Sequence, residues 1–142
     1  MTYYLSLGSN LGKREQTLRD ALQLIEQQVG PILRCSSFYY SAPWGFESEN
    51  EFCNLCCAIQ SDQMPSDVLH LTQAIERVLG RKEKSHYSLL TTQYSDRPID
   101  IDIIRVFDNE GEELFIDTPE LTIPHKLWTQ RDFVKVPLAE IL

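Results

Sequence analysis

Two stretches of helical periodicity, each set between strand-like runs, constrain this chain more than any other feature. From about Lys13 to Val29, the residues Leu18, Ala21, Leu22, Ile25 and Val29 recur at the spacing that gives a helix one apolar stripe. Val68, Leu71, Ile75 and Val78 do the same after Pro65-Ser66, and Gly30-Pro31 and Gly80 end the two runs. Gly8-Ser9-Asn10 precedes the first helix, and Asn10 or a neighbour is a candidate cap for it. Aromatic and aliphatic residues make residues 2–8 (TYYLSLG) a strand, and further extended runs follow over 32–41, 52–60 and 98–107. Both helices must bury their stripes, and a sheet made of the four runs offers the surface.

The order β-α-β-β-α-β predicts an α+β fold of the ferredoxin-like kind, an antiparallel sheet with the helices on one face. A C-terminal extension follows, with a turn at 108–111, a short strand over 113–116 and a helix over 131–142. The 142 residues fit one domain, residues 1–142. Residues 81–96 keep no periodicity and read as a long loop of the kind that closes over a site.

Composition narrows the function classes. No apolar run approaches the ~20 residues that cross a bilayer, and MTYYLSLGSN lacks the basic start and apolar stretch of a signal peptide. The expectation is a cytoplasmic protein with no membrane partner. A formal net charge of −8 repels polyanions and argues against nucleic acid. The basic residues Arg81, Lys82, Lys84, Arg97, His125, Lys126 and Arg131 are enough for a small phosphorylated ligand. Of Cys35, Cys53, Cys56 and Cys57, three crowd into the strand-like run NEFCNLCCAIQ. There Cys53 and Cys56 make a C-x-x-C without a second ligand pair at zinc-finger spacing, so buried reduced thiols in a core strand are the favoured reading.

The chemistry concentrates in RPIDIDII. Residues two apart in a strand share a face, so Asp100 and Asp102 project together while Ile99, Ile101 and Ile103 point into the core. Neighbouring carboxylates repel, and one titrates high unless a cation lies between them. Magnesium suits such a pair, since it uses one or two carboxylates together with substrate phosphates and water. The bland alternative is an amphipathic strand whose two aspartates face solvent. Arg97, His125 and Arg131 tilt the reading toward metal-assisted phosphate transfer, which needs cationic donors around the phosphates.

Taken together the motifs are specific. They are Gly8-Ser9-Asn10, SSFYYSAPWG at 36–45, Phe52-x-Asn54, Gln73, Glu76, Gly80-Arg81, Arg97-Pro98-Ile99-Asp100-Ile101-Asp102, Ile123-Pro124-His125, Arg131-Asp132-Phe133 and PLAEI. In this order the chain resembles the 6-hydroxymethyl-7,8-dihydropterin pyrophosphokinase family over nearly its whole length. The resemblance implies transfer of diphosphate from ATP to a pterin alcohol, with AMP released, in folate biosynthesis. Asp100 and Asp102 would bind two magnesium ions and act in catalysis with Arg97 and Arg81. Gln73, Glu76, Arg81, Arg97, His125 and Arg131 would contact ATP. Phe52 and Phe133 would sandwich the pterin, Asn54 would read its edge, and Ser41, Ala42, Trp44, Gly45 and Tyr94 would complete its pocket.

Two positions depart from the family pattern. Glu83 stands where a second arginine is common, and Tyr94-Ser95-Asp96-Arg97 replaces Trp-Gly-Pro-Arg. A monomer is expected. Rival readings are a nucleotidyltransferase or cyclase, which would release pyrophosphate, and a metabolite-binding regulatory module, which would bind no ATP with magnesium.

Overall fold

The computed structural model describes residues 1–43, 50–80 and 98–142. In chain order the elements are β1 (Thr2–Ser9), α1 (Arg14–Gln28), β2 (Ile32–Cys35), β3 (Tyr39–Ser41), β4 (Phe52–Gln60) and α2 (Pro65–Val78). After residue 97 come β5 (Asp100–Phe107), β6 (Ile116–Asp117), β7 (Thr122–Ile123), a 3-10 turn (Trp128–Gln130) and α3 (Asp132–Ile141). The fold is α+β. One antiparallel sheet has the order β2–β4–β1–β5, with β3 continuing along the edge of β4 that β2 begins.

The two central strands are buried on both faces, which is why β1 and β4 read as nearly continuous apolar runs rather than as alternating ones. On one face Tyr3, Leu5 and Leu7 of β1 meet Leu55 and Ile59 of β4 beneath the apolar stripes of α1 and α2. On the other, Tyr4, Cys56, Ala58 and Ile104 pack with Val134, Leu138 and Ile141 of α3. The predicted C-terminal extension thus covers the face that α1 and α2 leave open. A bulge in β5 helps: Leu5 faces Ile103 but Tyr4 faces Arg105, so Ile104 is the extra residue. Ile103 stays in the α1/α2 core, and Ile104 turns to α3.

Three expectations need adjustment. The run 32–41 is two strands, because Ser36 substitutes its own side chain for part of the ladder. Its N–H donates to the Cys56 carbonyl at 2.8 Å, while its hydroxyl accepts the Cys56 N–H at 2.9 Å. Asn10 does not cap α1. The helix begins after Lys13 without a side-chain cap, and the Asn10 amide instead donates to the Asn50 carbonyl at 3.2 Å. The short strand expected over 113–116 is a single bridge from Glu113 to Phe107, and the true ribbon is β6 with β7. Elsewhere the boundaries agree to within two residues, and β4 agrees at both ends.

Candidate active site

Register brings the predicted residues into rows. Gly8 stands between Asn54 of β4 and Asp100 of β5; Ser6 stands between Cys56 and Asp102. Alternation sends all of these side chains to the face that carries α3, in the half of it beyond the Tyr4–Ala58 row. Asp100 and Asp102 are half-buried, whereas Ile99, Ile101 and Ile103 are at most 4% exposed.

Gly8 leaves space at this end of the face. A β-carbon there would lie 3.0 Å from Asn54 Oδ1 and 3.5 Å from Phe52 Cδ1. Asn54 is oriented from the sheet edge, where its Nδ2 donates to the Tyr39 carbonyl at 2.9 Å and to Ser41 Oγ at 2.8 Å. Both N–H groups are therefore used inside the protein, and Oδ1 lies on the Gly8 side. An amide in an apolar strand called for partners, and β3 supplies half of them. Phe52 is buried beside it, Ser41 is half-buried and Ala42 is exposed. The entry to β4 is clamped from the β1–α1 turn, with Asn10 on the Asn50 carbonyl and Arg14 Nη1 donating to the Glu51 carbonyl at 2.6 Å.

The start of α3 adds two groups. Arg131, buried, directly precedes the helix, with its guanidinium carbon 5.7 Å from the centroid of the Phe133 ring. Phe133 is half-buried and packs on the α3 core. His125 hangs from β5, donating its backbone N–H to the Ile104 carbonyl at 2.9 Å. Its Nδ1 accepts the Leu127 N–H at 3.3 Å, so in the neutral ring Nε2 carries the proton and is a donor.

Gln73 and Glu76 are placed differently. Both sit on α2, behind the sheet. Gln73 is half-buried, and Glu76, only 2% exposed, accepts the Ile101 N–H on its carboxylate at 2.7 Å. Trp44, Gly45, Arg81, Tyr94 and Arg97 lie outside the described residues, as does the loop expected over 81–96. Sequence reading did not single out Ser6 or the Tyr39 carbonyl, because only cross-strand register shows that they adjoin Asp102 and Asn54.

The donor set fits magnesium. Two carboxylates share one row-spaced face, and among the described residues no third Cys, His or acidic side chain joins them to close a cage. Cys56 lies in the Asp102 row, and burial pushes its thiol up to about 12, which favours the neutral thiol near pH 7. Burial raises Cys53 and, further still, Cys57 as well.

The chain is similar to known proteins over nearly its whole length. The profile of the family "7,8-dihydro-6-hydroxymethylpterin-pyrophosphokinase (HPPK)" matches residues 4–142. The chain is 47% identical over 140 residues to a 2-amino-4-hydroxy-6-hydroxymethyldihydropteridine pyrophosphokinase of Porphyromonas gingivalis, covering 97% of this chain and 88% of that one. To the Bacillus subtilis protein of the same name it is 37% identical over 139 residues, covering 97% and 76%. Among solved structures, the crystal structure of an HPPK-DHPS in complex with substrates superposes with a TM-score of 0.69 at 17% identity, over 99% of this chain and 40% of that one. That similarity concerns the fold. Because the family profile spans nearly all of the sequence and a relative covering most of both chains is 47% identical, the chain belongs to the 7,8-dihydro-6-hydroxymethylpterin-pyrophosphokinase family.

Proposed function

We propose that the half of the sheet face beyond α3 binds ATP and 6-hydroxymethyl-7,8-dihydropterin side by side, with two magnesium ions held by Asp100 and Asp102. As a member of its family the chain is a pyrophosphokinase of folate biosynthesis, moving diphosphate from ATP to the hydroxymethyl group of the pterin and releasing AMP. The observation that carries the site assignment is the register itself, which puts the carboxylate pair one strand away from Asn54 across Gly8 and Ser6.

In this reading Asn54 Oδ1 accepts a hydrogen bond from the pterin edge, held in place by Tyr39 and Ser41. Phe52 and Phe133 supply the aromatic faces that a flat heterocycle needs. Arg131 and His125 Nε2–H serve as donors to phosphate oxygens. Arg81, Arg97, Gln73, Glu76, Ala42, Trp44, Gly45 and Tyr94 keep the roles that the family resemblance implies. Magnesium, when bound, neutralises phosphate charge and aligns the chain of phosphates. The pterin hydroxymethyl oxygen loses its proton to solvent and attacks the β-phosphorus, forming a new P–O bond as the bond from that phosphorus to the bridging oxygen, which leaves with AMP, breaks. No covalent nucleophile is required, since the protein's work is alignment and charge neutralisation.

The strand order, with α1 and α2 on one face, supports the ferredoxin-like reading of the fold. We further infer a monomer acting in the cytoplasm; among the described residues no helix is long and apolar enough to cross a membrane. The test is Asp100→Asn and Asp102→Asn, assayed for AMP and diphosphorylated pterin. Each variant should keep its thermal midpoint and lose at least about 100-fold in kcat, the scale of removing one preorganised charge-stabilising group. Near-normal turnover in either would remove the metal assignment, and pyrophosphate as the product would replace the reaction with nucleotidyl transfer.

A further inference from the structure

The edge of β5 carries an arrangement that ligand binding alone does not require. Among the described residues β5 is the last strand of the sheet, so one side of its backbone has no strand to pair with. In an antiparallel ladder, alternate residues turn their N–H and C=O groups away from the partner strand. Ile101 is such a residue, for its N–H goes to the carboxylate of Glu76 at 2.7 Å. Asp100 and Asp102, on either side of it, therefore turn their backbone groups toward Gly8 and Ser6 of β1.

We propose that Glu76 is a positioning residue for the carboxylate pair: its carboxylate takes the backbone N–H of Ile101, the residue between Asp100 and Asp102, on the outer edge of β5. This rests on the reading of those two aspartates as the metal ligands. The physical need is register. A strand that slips by one residue exchanges its faces, and here the slip would turn both aspartates into the α1/α2 core and bring the isoleucines out. On the outer edge of β5 the backbone N–H groups of His125 and Leu114 bond the Ile104 and Val106 carbonyls beyond the bulge, and Glu76 bonds Ile101 before it. A hydrogen bond from outside, placed between the two ligands, constrains the register where an error would do most harm.

Burial supports the assignment. Glutamate is among the residues least often buried, yet Glu76 is 2% exposed on the apolar stripe of α2, next to Ile75. The strand it holds supplies one of the polar partners that a carboxyl group buried there needs. Among the described residues no group of three acidic, His or Cys side chains converges, so Glu76 is read as holding the strand and not as a third metal ligand.

The experiment uses the full chain, with Mn2+ as the probe in the presence of a non-hydrolysable ATP analogue. Glu76→Ala should speed amide exchange at Ile101, weaken Mn2+ binding by about tenfold, the scale seen when a group orienting a metal ligand is removed, and lower kcat with little change in the KM for pterin. Glu76→Gln keeps an oxygen that can accept the Ile101 N–H and should restore Mn2+ affinity to within about twofold. Asp102→Asn, run in parallel, should lose Mn2+ binding. Wild-type affinity in Glu76→Ala beside a loss in Asp102→Asn overturns the positioning role and leaves the metal site standing. Equal losses in the Gln and Ala variants overturn it too, since charge rather than the bond would then matter. Retained binding in Asp102→Asn removes the metal site, and the positioning role falls with it. Should Glu76→Ala not fold, the Gln variant decides alone: near-normal affinity with Ile101 still protected supports the role, and a tenfold loss sinks it.

Discussion

Gly8 shows how a residue without functional groups can govern a site. Its missing side chain leaves room for Asn54 Oδ1 and the Phe52 ring, both within 3.5 Å of where a β-carbon would stand. Gly8→Ala forces the Asn54 amide to give way by a few tenths of an ångström, against the two bonds that fix its other end. The expected result is a loss of about tenfold in pterin affinity by calorimetry, from an overpacking cost of about 1–3 kcal/mol, with ATP binding little changed. At this scale the aspartate pair was legible, because alternation in a strand is a local rule. Asn54 was only half legible, since its donors go to Tyr39 and Ser41, partners that strand pairing chose.

At the scale of elements, Arg105 ties three pieces together. Its guanidinium makes two bonds of 2.9 Å to the Glu113 carboxylate and lies 5.0 Å and 5.5 Å from the ring centroids of Phe107 and Trp128. Strand β5, the turn after it and the 3-10 turn before α3 are thereby held as one unit. The bond to Arg105 keeps the Glu113 carboxyl below its ordinary value. A group depressed on folding contributes stability above its unfolded pKa and loses that contribution as the pH falls through the folded one. Glu113→Gln should therefore cost about 1 kcal/mol at pH 7, modest because the pair is partly solvated, and its deficit against the wild type should shrink at pH 3. Urea titrations at the two pH values measure both. The elements themselves were mostly legible from periodicity. The break between β2 and β3 was not, for the Ser36 hydroxyl enters the ladder only once Cys56 faces it.

For the molecule as a whole, the sheet lies between two cores, and α3 closes the second. Leu138 of α3 is fully buried, and Leu138→Ala should cost about 2–5 kcal/mol. Because Phe133 lies in the first turn of α3 and Arg131 directly precedes it, pterin affinity should fall along with stability. Far-UV and near-UV signals should still melt together, as one domain over residues 1–142 requires; two separated transitions would contradict that expectation. Thiol labelling of the native protein should reach Cys35, which is exposed, and spare Cys53, Cys56 and Cys57, which are buried with raised pKa values. The sequence by itself determined the order of helices and strands, the face shared by Asp100 and Asp102, and the family, because period and motif act over a few neighbouring residues. Tertiary structure alone decided which side α3 covers, which atoms orient Asn54, and that Glu76 reaches the Ile101 amide. Those contacts join positions 13 to 25 residues apart or more, and only pairing register and helix docking bring such positions together.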